Sequence, residues 1–157
     1  MAKRVFVIHG WEGYPEEGWR PWLRKELEGK GFEVIIPAMP DTATPTFAKW
    51  VPYLAQTVGA ADENTYFVCH SLGCITTLRY LETLKENQKI GGVVFVAGFG
   101  RDLEYEGYKG ELTNFLQAFF ILFQSTGVAK KVVSSPLYPS YSKSRPKPAT
   151  KTTPPIF

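Results

Sequence analysis

One serine stands where the chain must change direction abruptly. The run Val68-Cys69-His70-Ser71-Leu72-Gly73-Cys74 joins an apolar, strand-like stretch (Thr65 to Cys69) to a helical stripe at Cys74, Ile75, Leu78 and Leu81. A turn this tight needs small residues two before and two after the serine, and Gly73 satisfies one of these positions. Cys69 takes the other; it is not glycine, but it is small enough to be tolerated. Such a turn lifts the Ser71 hydroxyl above the carboxyl ends of the strands, at a helix N-terminus. There the Leu72 amide can donate to a developing oxyanion. The chemistry this suits is acyl transfer through a serine nucleophile. The competing reading is that Ser71 merely caps the helix, serine being a favoured N-cap residue.

A second feature favours the chemical reading. The first apolar run ends in Ile8-His9-Gly10-Trp11, and in a parallel sheet that end faces the same cleft as Ser71. Gly10 permits a sharp departure of the backbone, which makes the Trp11 amide the candidate for a second oxyanion donor. His9 and His70 are the only histidines. Each adjoins an oxyanion-hole element rather than facing the serine, so His9, Gly10, His70 and Gly73 are read as support for the turn and its loop. Neither histidine is assigned as the general base.

The elements that must position these residues alternate along the chain. Arg4 to Ile8 is continuously apolar from Val5, as a strand buried on both faces should be. Trp19, Trp22, Leu23 and Leu27 then recur at helical spacing, ending near Gly29 to Gly31. Glu33 to Ile36 reads as a second strand, stopped by Pro37 and Pro40. Phe47, Trp50, Val51, Leu54 and Val58 form another helical stripe, with Pro52 predicting a kink or a late start. Thr65 to Cys69 and Gly92 to Ala97 complete four strands separated by three helices, the pattern of an α/β fold with a mostly parallel sheet in three α/β/α layers. Beyond Gly100 the expectations are a polar loop over 101–110, a buried helix at Phe115 to Phe123 and a fifth strand at Lys131 to Ser134.

Composition narrows the function classes. The formal charge is +3 over 157 residues, but Lys143, Arg145, Lys147 and Lys151 supply four positive charges, which leaves residues 1–142 at −1. A basic nucleic-acid-binding face is not supported. No apolar run reaches the length of about 18 residues that spans a bilayer. The start, Met1-Ala2-Lys3-Arg4, leads into a buried strand rather than a signal peptide, and a cytoplasmic protein is expected. Membrane-surface binding through Phe115 to Phe123 and the basic tail stays as a minor alternative. Two cysteines make no disulfide framework, and Cys69 and Cys74 read as buried, reduced thiols. The histidines and cysteines form no familiar metal-ligand spacing and no phosphate loop occurs, so neither a metal nor a cofactor is expected.

Taken together, the segments resemble the YdeN-like serine hydrolases, the family that includes retinoblastoma-binding protein 9. The resemblance rests on Val7-Ile8-His9-Gly10, the Trp19 to Leu27 helix, Met39-Pro40-Asp41, Trp50, Glu63 to Tyr66 leading into Cys69 to Cys74, and Gly91 to Val94 leading to Ala97-Gly98-Phe99. It covers residues 4–100 well and 101–144 loosely. It implies a compact α/β-hydrolase domain over 1–144 with Ser71 as nucleophile, acting on a small-molecule ester or amide. It also implies that a small residue other than glycine is acceptable at Cys69.

The same resemblance exposes a gap. A serine hydroxyl needs an adjacent base oriented by a carboxylate, in the chain order Ser, Asp or Glu, His. Where the family carries its aspartate this sequence reads Ser134-Ser135-Pro136-Leu137-Tyr138-Pro139, and no histidine follows His70. No acidic residue follows Glu111. From Arg145 the resemblance gives way to a stretch rich in proline, threonine and lysine, expected to be a disordered tail over 145–157. The C-terminal elements are therefore missing or altered. Either the reading frame or chain is changed near 134–145, the account favoured here, or this is a true variant that kept the scaffold and lost the reaction. Feeble hydrolysis is expected in both cases, and a non-catalytic module binding an unknown protein partner is the rival class.

Overall fold

The computed structural model describes residues 2–98. Four strands, β1 (Arg4–Ile8), β2 (Glu33–Ile35), β3 (Thr65–His70) and β4 (Gly92–Val96), alternate with helices α1 (Arg20–Glu28), α2 (Phe47–Val58) and α3 (Leu72–Glu82). The strands form one sheet in the order β2-β1-β3-β4, and every neighbouring pair is parallel. The strand order reverses direction between β1 and β3, and the carboxyl ends of strands at such a switch point are where α/β sheets place their ligands.

Side-chain alternation along each strand divides the core into two layers. In β1, Phe6 and Ile8 join Phe67 and Cys69 of β3 against α2 and α3, with Trp50, Leu54, Leu72 and Ile75. Val5 and Val7 face the other way, with Tyr66 and Val68, against Trp19, Leu23 and Leu27 around α1. Strand period two thus explains why β1 reads as an unbroken apolar run: both of its faces are covered. Burying a side chain such as Leu54 contributes about 1.5–3 kcal/mol. Rings pack through the larger layer, Phe6 stacked on Phe67 at 5.7 Å and Phe67 tilted against Tyr80 at 5.6 Å.

Two details depart from expectation. Trp22 is 62% exposed; the stripe that packs on the sheet is the partly buried Trp19, Leu23 and Leu27, spaced by four, and Trp22 lies about 100° around the helix from Leu23. Of the two alternatives at Pro52, the late start is not what forms: α2 starts at Phe47 and runs on through the proline to Val58. The proline lies on the exposed side, where water can satisfy the carbonyl of Ala48 that its missing N–H leaves unpaired. The strand, helix and loop expected beyond Gly100, and the tail from Arg145, lie outside the described residues. Among the described residues no helix is long and apolar enough to cross a membrane.

Candidate active site

Ser71 lies between β3 and α3 with φ 51° and ψ −121°, a backbone region that residues with a Cβ rarely adopt and that costs about 1–3 kcal/mol. The turn is held by its own backbone: the Ser71 amide donates to the Val96 carbonyl of β4 at 3.0 Å, and the Cys74 amide donates to the Ser71 carbonyl at 3.0 Å. The serine side chain makes no capping hydrogen bond to α3. The N-cap reading therefore fails, because a capping hydroxyl would be turned toward the helix amides. The residue is half-buried rather than sealed in the core.

Strain of this kind recurs at one end of the sheet. Glu12, Asp41, Ser71 and Ala97 are the non-glycine residues with positive φ among the described residues, at 49°, 48°, 51° and 49°. Each follows the carboxyl end of a different strand. Irregular backbone is thus concentrated at the carboxyl ends of the strands.

Glycines set how closely the elements approach. A Cβ on Gly73 would stand 2.5 Å from the Ile8 carbonyl oxygen and 2.6 Å from that of His9. The start of α3 therefore rests directly on the end of β1. A Cβ on Gly10 would meet the Ser71 Cβ at 2.9 Å and its Oγ at 3.3 Å. Gly10, the residue expected to redirect the chain after β1, is thus in contact with the serine. Cys69 is fully buried, and its thiol donates to the Thr77 hydroxyl at 3.1 Å, while the Cys74 thiol donates to the Cys69 carbonyl at 3.3 Å. Burial pushes the Cys74 thiol up to about 12 and raises Cys69 well above its ordinary value. Both thiols are therefore protonated at neutral pH and pack as small buried groups.

Both histidines are committed elsewhere. His9 is fully buried; its Nδ1 lies 2.9 Å from the Gly10 carbonyl oxygen, and its Nε2 accepts from the Met39 amide at 3.2 Å. His70 ends β3 on the α1 side, its ring edge-to-face with Trp19 at 6.2 Å between centroids. Burial lowers both imidazoles below 6.5, and the nearby Arg20 guanidinium adds to the effect on each. Sequence reasoning missed Arg20 itself. It is buried, its Nε donates to the Tyr14 carbonyl at 3.0 Å, and it pairs with Glu17, which folds the loop after β1 onto itself. Its neighbour Pro21 and the i,i+3 spacing to Glu17 were the available signal. The loops after β1 and β2 are also tied together, the Glu12 amide donating to the Thr42 carbonyl at 2.9 Å. Asp41 pairs with Lys49, and the Trp50 indole donates to the Pro40 carbonyl at 2.7 Å.

A strained serine thus stands between a parallel strand and a helix, with a glycine from the first strand's exit pressed against it. A family model described as "Serine hydrolase" matches residues 5–149. The chain belongs to the serine hydrolase family. The match extends four residues past Arg145, where the resemblance read from the sequence stops. Among relatives, the chain is 39% identical over 103 residues to the putative hydrolase YdeN of Bacillus subtilis (strain 168), covering 66% of this chain and 54% of that protein. It is 34% identical over 87 residues to the serine hydrolase RBBP9 of Rattus norvegicus, covering 55% and 44% respectively. The crystal structure of the Bacillus subtilis ydeN gene product superposes with a TM-score of 0.67 at 36% identity, covering 74% of this chain and 61% of that one. This serine hydrolase chain spans about half the length of the curated relatives it matches.

Proposed function

We propose that this chain carries the nucleophile and oxyanion-binding half of a hydrolase for small esters or amides, with Ser71 as the acylated residue. The observation that carries the reading is the Ser71 backbone, strained at φ 51° in a turn where its side chain caps nothing. In the reaction, Ser71 Oγ bonds to the substrate carbonyl carbon and gives up its proton to a base. The carbonyl oxygen becomes an oxyanion held by the Leu72 and Trp11 amides, and the alcohol or amine leaves with a proton. Water then cleaves the acyl-serine by the same route. Preorganised amide donors of this kind each account for about 10²–10³ in rate.

The base is the weak point. No histidine follows His70 and no acidic residue follows Glu111 in this sequence, and His9 has both ring nitrogens engaged. Loss of a triad member costs roughly 10⁴-fold or more in turnover. The chain is therefore expected to hydrolyse p-nitrophenyl butyrate feebly, with added imidazole raising the rate and Ser71→Ala abolishing the increment. Robust turnover without imidazole that still depends on Ser71 would show that another group serves as base. The second reading, a non-catalytic binding module on the same scaffold, is favoured by the engagement of both His9 ring nitrogens away from Ser71. It predicts no labelling of Ser71 by a fluorophosphonate probe, with or without imidazole, in a folded sample.

A further inference from the structure

We propose that His9 is a positioning residue whose imidazole, donating from Nδ1 to the Gly10 carbonyl, sets the direction of the Trp11 amide and so builds the second oxyanion donor. This rests on the hydrolase reading of Ser71. The peptide unit joining Gly10 to Trp11 is planar and trans, so its C=O and N–H point in opposite directions. Whatever holds the oxygen aims the amide. The oxygen is held twice, by His9 Nδ1 at 2.9 Å and by the Gly13 amide at 3.2 Å. The peptide leaves from Gly10, the residue in contact with Ser71.

The ring cannot exchange the roles of its two nitrogens. Nε2 accepts from the Met39 amide, so it carries no proton, and the proton of a neutral imidazole must then sit on Nδ1. Burial favours that neutral form, and the charged or titratable groups bearing on the ring are Arg20, Glu17 and His70. Trp50 packs edge-to-face with the imidazole at 5.9 Å and is itself fixed by its bond to the Pro40 carbonyl. Space is reserved for this arrangement: a Cβ on Gly13 would stand 2.9 Å from His9 Nδ1. His9 thus links the exit of β1 to the exit of β2 while touching no substrate.

The test compares His9→Asn with His9→Gln in the full chain. Asparagine returns a donor near the position of Nδ1; glutamine reaches the position of Nε2 and returns only an acceptor for Met39. With imidazole present as base, the rate of Ser71 labelling by a fluorophosphonate is expected to fall about 100-fold in His9→Gln and to recover to within about tenfold of the parent in His9→Asn. The reverse order would place the important contact at Met39 and overturn the proposal. Ring-nitrogen chemical shifts of the unmutated protein give an independent readout, expected to show Nδ1 protonated and Nε2 bare at neutral pH. An Nε2-protonated ring would overturn the proposal without any variant. If the parent protein takes no label at all, the hydrolase reading falls, whereas the ring measurement still decides how His9 holds the Gly10 carbonyl.

Discussion

Replacing Gly73 by alanine sets two physical effects of opposite sign against each other. Gly73 is the second residue of α3, and alanine is the better helix former by about 1 kcal/mol. Propensity alone therefore predicts a more stable protein. The structure predicts the reverse. The added Cβ would stand 2.5 Å from the Ile8 oxygen, 2.6 Å from the His9 oxygen and 2.9 Å from the Ile8 carbonyl carbon. Carbon normally settles about 3.5 Å from such neighbours, so β1 and α3 must separate by up to about 1 Å. All three obstacles are backbone atoms, two of them in the central strand, and no rotamer change can relieve them. Overpacking of this kind costs about 3 kcal/mol at the upper end of its usual range, which leaves a net loss of about 2 kcal/mol. For a chain of this length that corresponds to a fall of about 4–8 °C in Tm. Thermal denaturation followed by circular dichroism, with urea unfolding to confirm an unchanged m value, measures it. Gly18→Ala is the control, since Gly18 has φ +62° but nothing within 4 Å of its added Cβ, and its loss should stay near 1 kcal/mol. A Gly73→Ala protein as stable as the parent, or more so, would refute the close seating of α3 on β1.

Three further outcomes are expected. Gly10→Ala should cut fluorophosphonate labelling of Ser71 at least tenfold, because the added methyl would meet the Ser71 Cβ at 2.9 Å and its Oγ at 3.3 Å and so displace the turn; unchanged labelling would separate Gly10 from the serine. Acidification should destabilise the fold. His9 and His70 are held below 6.5 by burial, so the unfolded chain takes up protons that the folded one refuses. Their contribution is complete above 6.5 and is lost as pH falls through that value toward the folded ones. The urea midpoint should drop over that window, and His70→Gln should flatten the drop. Tyr80→Phe should be neutral or stabilising by up to about 1 kcal/mol, since the hydroxyl is buried without a hydrogen-bond partner among the described residues; a loss beyond about 1 kcal/mol in chemical denaturation would reveal a partner for it.

The parallel sheet was legible because its signal is redundant. Val5 to Ile8, Thr65 to Cys69 and Gly92 to Val96 are apolar runs separated by helical stripes, and period-two packing on two covered faces leaves few other ways to fold them. The turn was legible for a similar reason, since Gly73 and Ser71 stand where a strand must become a helix. What escaped was whatever depends on how loops fold back and how wide a helix's covered face is. Trp22 shares the helical spacing of Trp19 and Leu23, yet the apolar stripe is narrower than that spacing suggests. Arg20 reads as a surface cation, but the folded loop offers its guanidinium a carbonyl and a carboxylate, which make its burial tolerable. Nothing near His9 in the sequence points to Met39, thirty residues away.

Arg4 stands at the opposite end of the sheet from Ser71. Its guanidinium donates to the Val58 and Ala60 carbonyls and to the Thr65 hydroxyl, gathering the last turn of α2 and the first residue of β3 at the amino edge of β1. A five-residue strand, about 17 Å long, separates this knot from the reactive turn. Substitutions around Arg4 therefore act on the seam between α2, β1 and β3 at a distance from Ser71, which makes that rim the place to reinforce the fold while the turn is left untouched.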